Sequence, residues 1–419
     1  VLQSIEAAKS DPRVKGIYLN FTGLGSVSTG AIEEIRAALV DFKKSGKFVV
    51  AYNETYSQGG YYLASVADKI YLHPEGGFSW VGLAQSSLFM KGALDKLGLK
   101  AEAFRPTTCK YKSAVEPYIR KDFSPENREQ SQMMIDDMWS VLVGTIAESR
   151  NLDAKKLMHL ADKLEVSQPE DALKHGLVDA LIYEDEMEAK FAEYGVEKGA
   201  DGKFNIISLG EYMTLAPVMP KFGAPAIGIV YAEGQVFDGE GEDDNVYSVN
   251  VSKTLRKARE DKDIKAVVFR VNSPGGSALA SDVIWREVEL LRKEKPVIVS
   301  MGSYAASGGY YISAGADAIV ADKLTLTGSI GVFGMLLEGE DMLNKKLGLD
   351  VDPDVCMQRI DSSRAFTEIY EKASTLKRIR SRFFEVFERL DGKENIKIID
   401  ASRTPEEIAS DIEKIVLSL

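Results

Sequence analysis

The sequence predicts an α/β chain in which one domain plan, a mostly parallel sheet with flanking helices, occurs twice. Two observations carry this expectation. Short apolar runs alternate with amphipathic helical stretches, the pattern of βαβ layering. The chain also repeats itself at a spacing of about 249 residues, the length of a domain plus its connections rather than of a solenoid unit. Ser57-Gln58-Gly59-Gly60-Tyr61-Tyr62 returns as Ala306-Ser307-Gly308-Gly309-Tyr310-Tyr311, and Ala67-Asp68-Lys69-Ile70 as Ala316-Asp317-Ala318-Ile319. Gly82 matches Gly331, and Asp11 to Ile17 mirrors Asp261 to Val267.

The first copy is expected over 1–195. It opens in a helix from Leu2, with strands at 16–21, 48–52 and 69–73 and helices at 30–45, 61–66 and 88–97. Ser124 before Pro125 marks the start of a long helix with Met134, Met138, Val141 and Leu142 on one face. Ser167-Gln-Pro-Glu170 caps a short helix that Gly176 ends, and 177–183 returns as a strand. Residues 196–224, with Gly199, Gly202, Gly210, Pro217, Pro220 and Gly223, read as a linker. The second copy, 225–348, has strands at 227–231, 266–271, 297–301 and 318–321. The strand at 227–231 has no partner in the first copy, so an N-terminal strand is expected to be missing ahead of Val1.

Composition narrows the function. The 419 residues are 45% hydrophobic and 28% charged, typical of a globular chain. No apolar run approaches the roughly 18 residues a membrane-crossing helix needs, so neither a membrane anchor nor a signal peptide is expected in this stretch. A net charge of −12 argues against nucleic acid as a partner, since phosphate binding requires clustered Lys and Arg. Cys109 and Cys356 cannot form a metal cluster. The three histidines, His73, His159 and His175, all precede the second copy.

The chemistry centres on Ser307. A buried strand followed by Ser-Gly-Gly and a short helix can expose a hydroxyl on a sharp turn, beside backbone N–H groups able to face a developing negative charge. A plain tight turn with serine as a cap would look the same. Asn272-Ser-Pro-Gly275-Gly276 ends another strand, where a Pro-Gly-Gly turn lets backbone N–H groups approach a ligand closely. No histidine follows Ser307, so a base of the Ser-His-Asp order is not available within that copy.

Asn272-Ser-Pro-Gly-Gly, then Ala306-Ser307-Gly-Gly, then Leu326-Thr-Gly-Ser-Ile-Gly-Val-Phe333 resemble the signal peptide peptidase A (protease IV) family of the Clp-protease/crotonase superfamily. Lys110-Tyr111-Lys112-Ser113-Ala114 and Phe123-Ser-Pro-Glu-Asn-Arg128 extend the resemblance over roughly 1–348. It implies tandem crotonase-like domains and a bacterial inner-membrane serine protease facing the periplasm, oligomeric, acting on signal peptides and other short extended peptides without a cofactor. It also implies Ser307 as nucleophile, Lys112 as general base, and the N–H groups of Gly308 and Gly276 as the oxyanion hole. Read alone, Lys112 is a lysine in an ordinary Lys-Tyr-Lys run.

The duplication sharpens these roles. Ser307 falls opposite Gln58, Pro274-Gly-Gly opposite Leu24-Gly25-Ser26, and Lys112 opposite Asp361 or Ser362. Each copy keeps one member of a Ser-Lys dyad, so a single site assembled from both is expected. Its lysine would need a pKa lowered by burial in order to accept a proton. A crotonase-like acyl-CoA enzyme and a non-catalytic peptide-binding scaffold are the alternatives. The helical tail, 349–419, resembles instead the C-terminal part of a thymidylate kinase, through Asp350-Val-Asp-Pro-Asp354 and Ile398-Ile-Asp-Ala401. With no phosphate-binding Gly-x-x-x-x-Gly-Lys loop anywhere in the chain, kinase activity is not expected. The tail reads as either a fusion near residue 349 or a diverged family segment.

Overall fold

The computed structural model describes residues 1–215 apart from 22, 23, 25 and 26, residues 225–339 apart from 243, and scattered positions from 342 to 414. Two compact units emerge. The first comprises Val1–Gln85 and Glu129–Val332, the second Ser86–Arg128 and Phe333–Leu419. Both repeat sheets belong to the first unit.

The first sheet orders Gly16–Leu19, Phe48–Tyr56, Lys69–Phe78 and Ala180–Leu181, each pair parallel. The second orders Ala226–Glu233, Ile264–Ser273, Val297–Ala306 and Ala318–Val320, again parallel, with Leu326–Gly328 pairing the end of Val297–Ala306. The α/β class with mostly parallel sheets is therefore as expected. Among the described residues of the first copy, Ala226–Glu233 has no counterpart.

The duplication extends to individual hydrogen bonds. The Asp68 carboxylate accepts from the Val49 N–H at 2.8 Å, and Asp317 accepts from Val297 at 2.8 Å. Lys47 Nζ donates to the carbonyls of Ala8 and Asp11, and Lys295 Nζ donates to those of Ala258 and Asp261. These charged groups satisfy backbone ends where strands and helices turn, which explains why they survive in both copies.

Each copy has its own core. Helix Thr29–Lys43 buries Leu39 and Phe42 against Val49, Ala51 and Ile70. In the second copy Ala278–Arg292 buries Ile284, Val288 and Leu291 against Phe269, Val297 and Val299. The other face of the first sheet, Val50, Tyr52 and Tyr71, is covered by Met187 and Phe191 of helix Met187–Glu193. On the second sheet Ile227, Ile229 and Tyr231 remain 57–66% exposed.

Several elements differ in extent from the sequence expectation. Lys69–Phe78 is longer than 69–73, because aromatic packing of Phe78 on Tyr61 carries the strand past Pro74. Only Ala180–Leu181 of 177–183 pairs as a strand. The short capped helix starts one residue later, with Gln168 as N-cap and the Asp171 carboxylate accepting from the Ser167 and Gln168 N–H groups. Within the expected linker, Leu209–Leu215 is helical, and 216–224 lie outside the described residues.

In the second unit Lys100–Phe104 pairs antiparallel with Gly334–Glu338, a pairing the sequence pattern does not announce. Leu349–Asp350 pairs parallel with Ile399–Asp400. Most of the tail, including Asp361 and Ser362 opposite Lys112, lies outside the described residues. Among the described residues no helix is long and apolar enough to cross a membrane.

Candidate active site

Ser307 links strand Val297–Ala306 to helix Gly308–Ser313 with φ 52° and ψ −114°. A non-glycine residue in this region is strained by about 1–3 kcal/mol and persists only where its surroundings dictate it. Here its N–H donates to the Gly328 carbonyl at 3.1 Å, and its own carbonyl accepts from the Tyr311 N–H at 2.9 Å. The hydroxyl makes no cap bond to the helix it precedes. A strained strand-to-helix turn of this kind is how other hydrolase folds present a nucleophilic serine.

The first copy builds the same turn without strain. Ser57 is extended at φ −70°, and its Oγ caps the helix by accepting from the Gly60 N–H at 3.1 Å. Gln58, opposite Ser307, folds onto the neighbouring loop. Its Oε1 accepts from the Val81 and Gly82 N–H groups at 2.7 and 2.8 Å, and its Nε2 donates to the Gly82 carbonyl at 2.9 Å. A serine placed there is expected to stay inert. In a Ser307→Ala background, Gln58→Ser should give no fluorophosphonate labelling above background, and labelling would show the first turn to be competent after all.

The glycine turn meets the serine turn. Val236 bridges Gly276, its N–H donating to the Gly275 carbonyl at 3.0 Å and its carbonyl accepting from the Ser277 N–H at 2.9 Å. A bridge of this type uses the flanking residues and leaves the central residue's own N–H for the other side. The Gly276 nitrogen would lie 3.1 Å from a Cβ on Gly308, so the two expected oxyanion donors are neighbours. Gly275 has φ 92°, and a Cβ on it would come within 2.5 Å of the Gly308 nitrogen and 2.8 Å of the Ser307 Cβ. Gly275→Ala is therefore expected to cut kcat by about 10²–10³, the usual loss for one oxyanion donor. Steady-state kinetics beside a melting curve checks it.

Two further residues serve this turn. Asn272 Oδ1 accepts from the N–H groups of Ser303 at 3.1 Å and Tyr304 at 3.2 Å, tying the serine strand to the glycine turn. Ser281, fully buried, donates to the Ser277 carbonyl at 2.7 Å, and its Oγ would be 2.5 Å from a Cβ on Gly308. Asn272 opens the Pro-Gly-Gly motif and could have been singled out as a polar residue ending an apolar strand. Ser281 carries no sequence signal.

Ser307, Gly308 and Gly276 belong to the first unit, and Lys112 belongs to the second. Lys112 ends a turn in which its N–H donates to the Cys109 carbonyl at 3.0 Å, while Arg105 Nη1 donates to its own carbonyl at 2.8 Å. It is 4% exposed, and burial pushes its amine below the ordinary lysine value, with Cys109 acting weakly the other way. Glu116, also buried, accepts from the Ser124 N–H at 3.1 Å and from Asn127 Nδ2 at 2.9 Å, tying this turn to the 124–127 segment of the same unit. Burial raises the Glu116 carboxyl, but these hydrogen bonds outweigh it and hold the group below its usual range.

The histidines sit elsewhere. His73 Nδ1 accepts from the Glu75 N–H at 3.1 Å and its ring meets Tyr183 edge-on, His159 lies beside Glu165, and His175 closes helix Pro169–Lys174.

Comparison with known proteins identifies the family. The chain is 40% identical over 380 residues to "Protease 4" of Haemophilus influenzae, covering 88% of this chain and 61% of that protein. It is 36% identical over 332 residues to "Serine protease SPPA, chloroplastic" of Arabidopsis thaliana, 78% of this chain and 48% of that one. A shorter match, 44% over 97 residues, covers 23% of this chain and 28% of "Putative signal peptide peptidase SppA" of Enterococcus faecium. The chain thus spans less than two thirds of each of these relatives. The description of Peptidase family S49 matches residues 41–197 and 289–356, more than half of the sequence, and the chain belongs to that family.

Proposed function

We propose that this chain carries the active site of a serine endopeptidase of Ser-Lys type that cleaves signal peptides and other short extended peptides. Ser307 Oγ attacks the scissile carbonyl while Lys112 accepts its proton. The N–H groups of Gly308 and Gly276 hold the tetrahedral oxyanion, and Lys112 returns the proton to the leaving amine. Water then attacks the Ser307 ester, with the lysine again as base, to release the acid product. The observation that carries this reading is the strained Ser307 turn with the Gly276 amide beside Gly308. The buried amine of Lys112 supports its role, because only a neutral lysine can take a proton.

The signal-peptide substrate class is supported by the name of the Enterococcus faecium relative, "Putative signal peptide peptidase SppA". The corresponding location is the bacterial inner membrane, facing the periplasm. Assembly into homo-oligomers is supported by the open apolar face of Ile227, Ile229 and Tyr231, a kind of patch that single soluble domains seldom leave bare. A fluorophosphonate probe tests the core of the proposal. Covalent labelling of Ser307 that is lost on Lys112→Ala is expected, whereas an unlabelled Ser307 would favour an acyl-CoA enzyme that uses the two backbone donors alone.

A further inference from the structure

The two copies meet inside the first unit at a place that bears on Ser307. Helix Thr29–Lys43 of the first copy packs on strand Val297–Ala306 of the second. Gly30 approaches so closely that a Cβ on it would lie 2.9 Å from both the Cα and the Oγ of Ser303. Ser28, at the helix N-cap, makes no cap bond, and its hydroxyl is instead hydrogen-bonded to the hydroxyl of Ser303. One turn along, the Glu34 carboxylate pairs at 2.5 Å with Arg270, whose Nη1 donates to Ser300 Oγ at 2.9 Å and the Met301 carbonyl at 3.1 Å. From the other side Asn272 accepts from the Ser303 and Tyr304 N–H groups. The clamped stretch is where the register with Ile264–Ser273 shifts, between Met301 and Ala305, immediately before the serine.

We propose that Ser28, Gly30 and Glu34 are positioning residues, and that the first copy braces the kinked strand so that Ser307 is held in its strained, uncapped conformation. This rests on the reading of Ser307 as the nucleophile. The physical case is a comparison within the chain. In the first-copy turn, which lacks the Ser28–Ser303 and Glu34–Arg270 contacts, the N-cap serine Ser57, one residue before the position opposite Ser307, has an extended backbone and its hydroxyl caps the helix. Ser307, also at an N-cap, has φ 52° and makes no cap bond. Because a strained residue persists only when its surroundings over-determine it, the clamp on Ser303 is the device that holds the Ser307 backbone in this conformation. The role of the first copy then extends beyond supplying a base.

The test compares Gly30→Ala, Ser28→Ala, Ser28→Thr and Glu34→Gln with the parent. Three readouts are taken: the rate of fluorophosphonate labelling of Ser307, kcat and KM for a peptide, and amide hydrogen exchange over 302–308. Gly30→Ala and Ser28→Ala are expected to label about 10-fold or more slowly, since sub-ångström misplacement of a reacting group is costly. The loss should fall on kcat with KM near the parental value, the melting temperature of Ser28→Ala should stay near parental, and exchange over 302–308 should quicken. Ser28→Thr keeps the hydroxyl and should restore the parental rate. Glu34→Gln, on a half-buried pair, supplies a conservative variant if Gly30→Ala does not fold. Parental labelling and exchange in Ser28→Ala and Glu34→Gln would overturn the brace. If the parent itself fails to label, the nucleophile reading falls, and exchange over 302–308 still decides the brace: faster supports it, unchanged overturns it.

Discussion

Ser307→Ala is expected to abolish peptide hydrolysis, lowering kcat by about 10⁴–10⁶, the range seen when the nucleophile of a serine protease is removed. KM should change little, because the glycine turn remains. The backbone makes a second, opposite prediction about stability. Alanine keeps a Cβ at φ 52° and should melt like the parent, whereas Ser307→Gly relieves a conformation that only glycine adopts freely. That variant is expected to be inactive yet more stable by about 1 kcal/mol, measured by denaturant unfolding. Equal stability of the two variants would mean that the turn stores no strain.

Lys112→Ala is expected to lower kcat/KM by about 10²–10⁴, the usual contribution of a positioned general base. The pH profile identifies the role. In the parent, activity should rise with pH as the buried ammonium loses its proton, at a pH below the ordinary lysine value because burial disfavours the charge. The alanine variant should lose that limb. Stability has a definite sign too. With the folded pKa below 10.5, the unfolded chain binds more protons between the two values, so parental stability rises with pH across that window. Lys112→Met should flatten this dependence and be at least as stable as the parent at neutral pH. A parental pH slope in the methionine variant would show that the amine is not the titrating group.

Much of the fold could be read from the sequence because duplication leaves chemistry in register. Asp68 and Asp317, like Lys47 and Lys295, recur because each ends a strand or helix by satisfying backbone groups. The Ser-Gly-Gly and Pro-Gly-Gly turns were legible for a related reason, since only glycine permits the approaches made at Gly275 and Gly276. Antiparallel pairing of Lys100–Phe104 with Gly334–Glu338 was not legible, because contacts more than 200 residues apart leave no local periodicity. Expectations for most of 349–419 fall on residues outside those described.

The sequence by itself determined the doubled α/β plan, the absence of a histidine after Ser307, and the residue types available for a Ser-Lys reaction. It could not distinguish a serine that caps a helix from one that is withheld from it. Ser57 and Ser307 both sit at the N-cap of a helix carrying Gly-Gly-Tyr-Tyr, yet only Ser307 is strained and uncapped. Tertiary structure decided that difference, because φ at a turn is set by what clamps the strand before it. Here the clamp is Gly30, Ser28 and Asn272 around Ser303, and distance in the chain keeps Ser28 and Gly30 out of any motif that includes the serine.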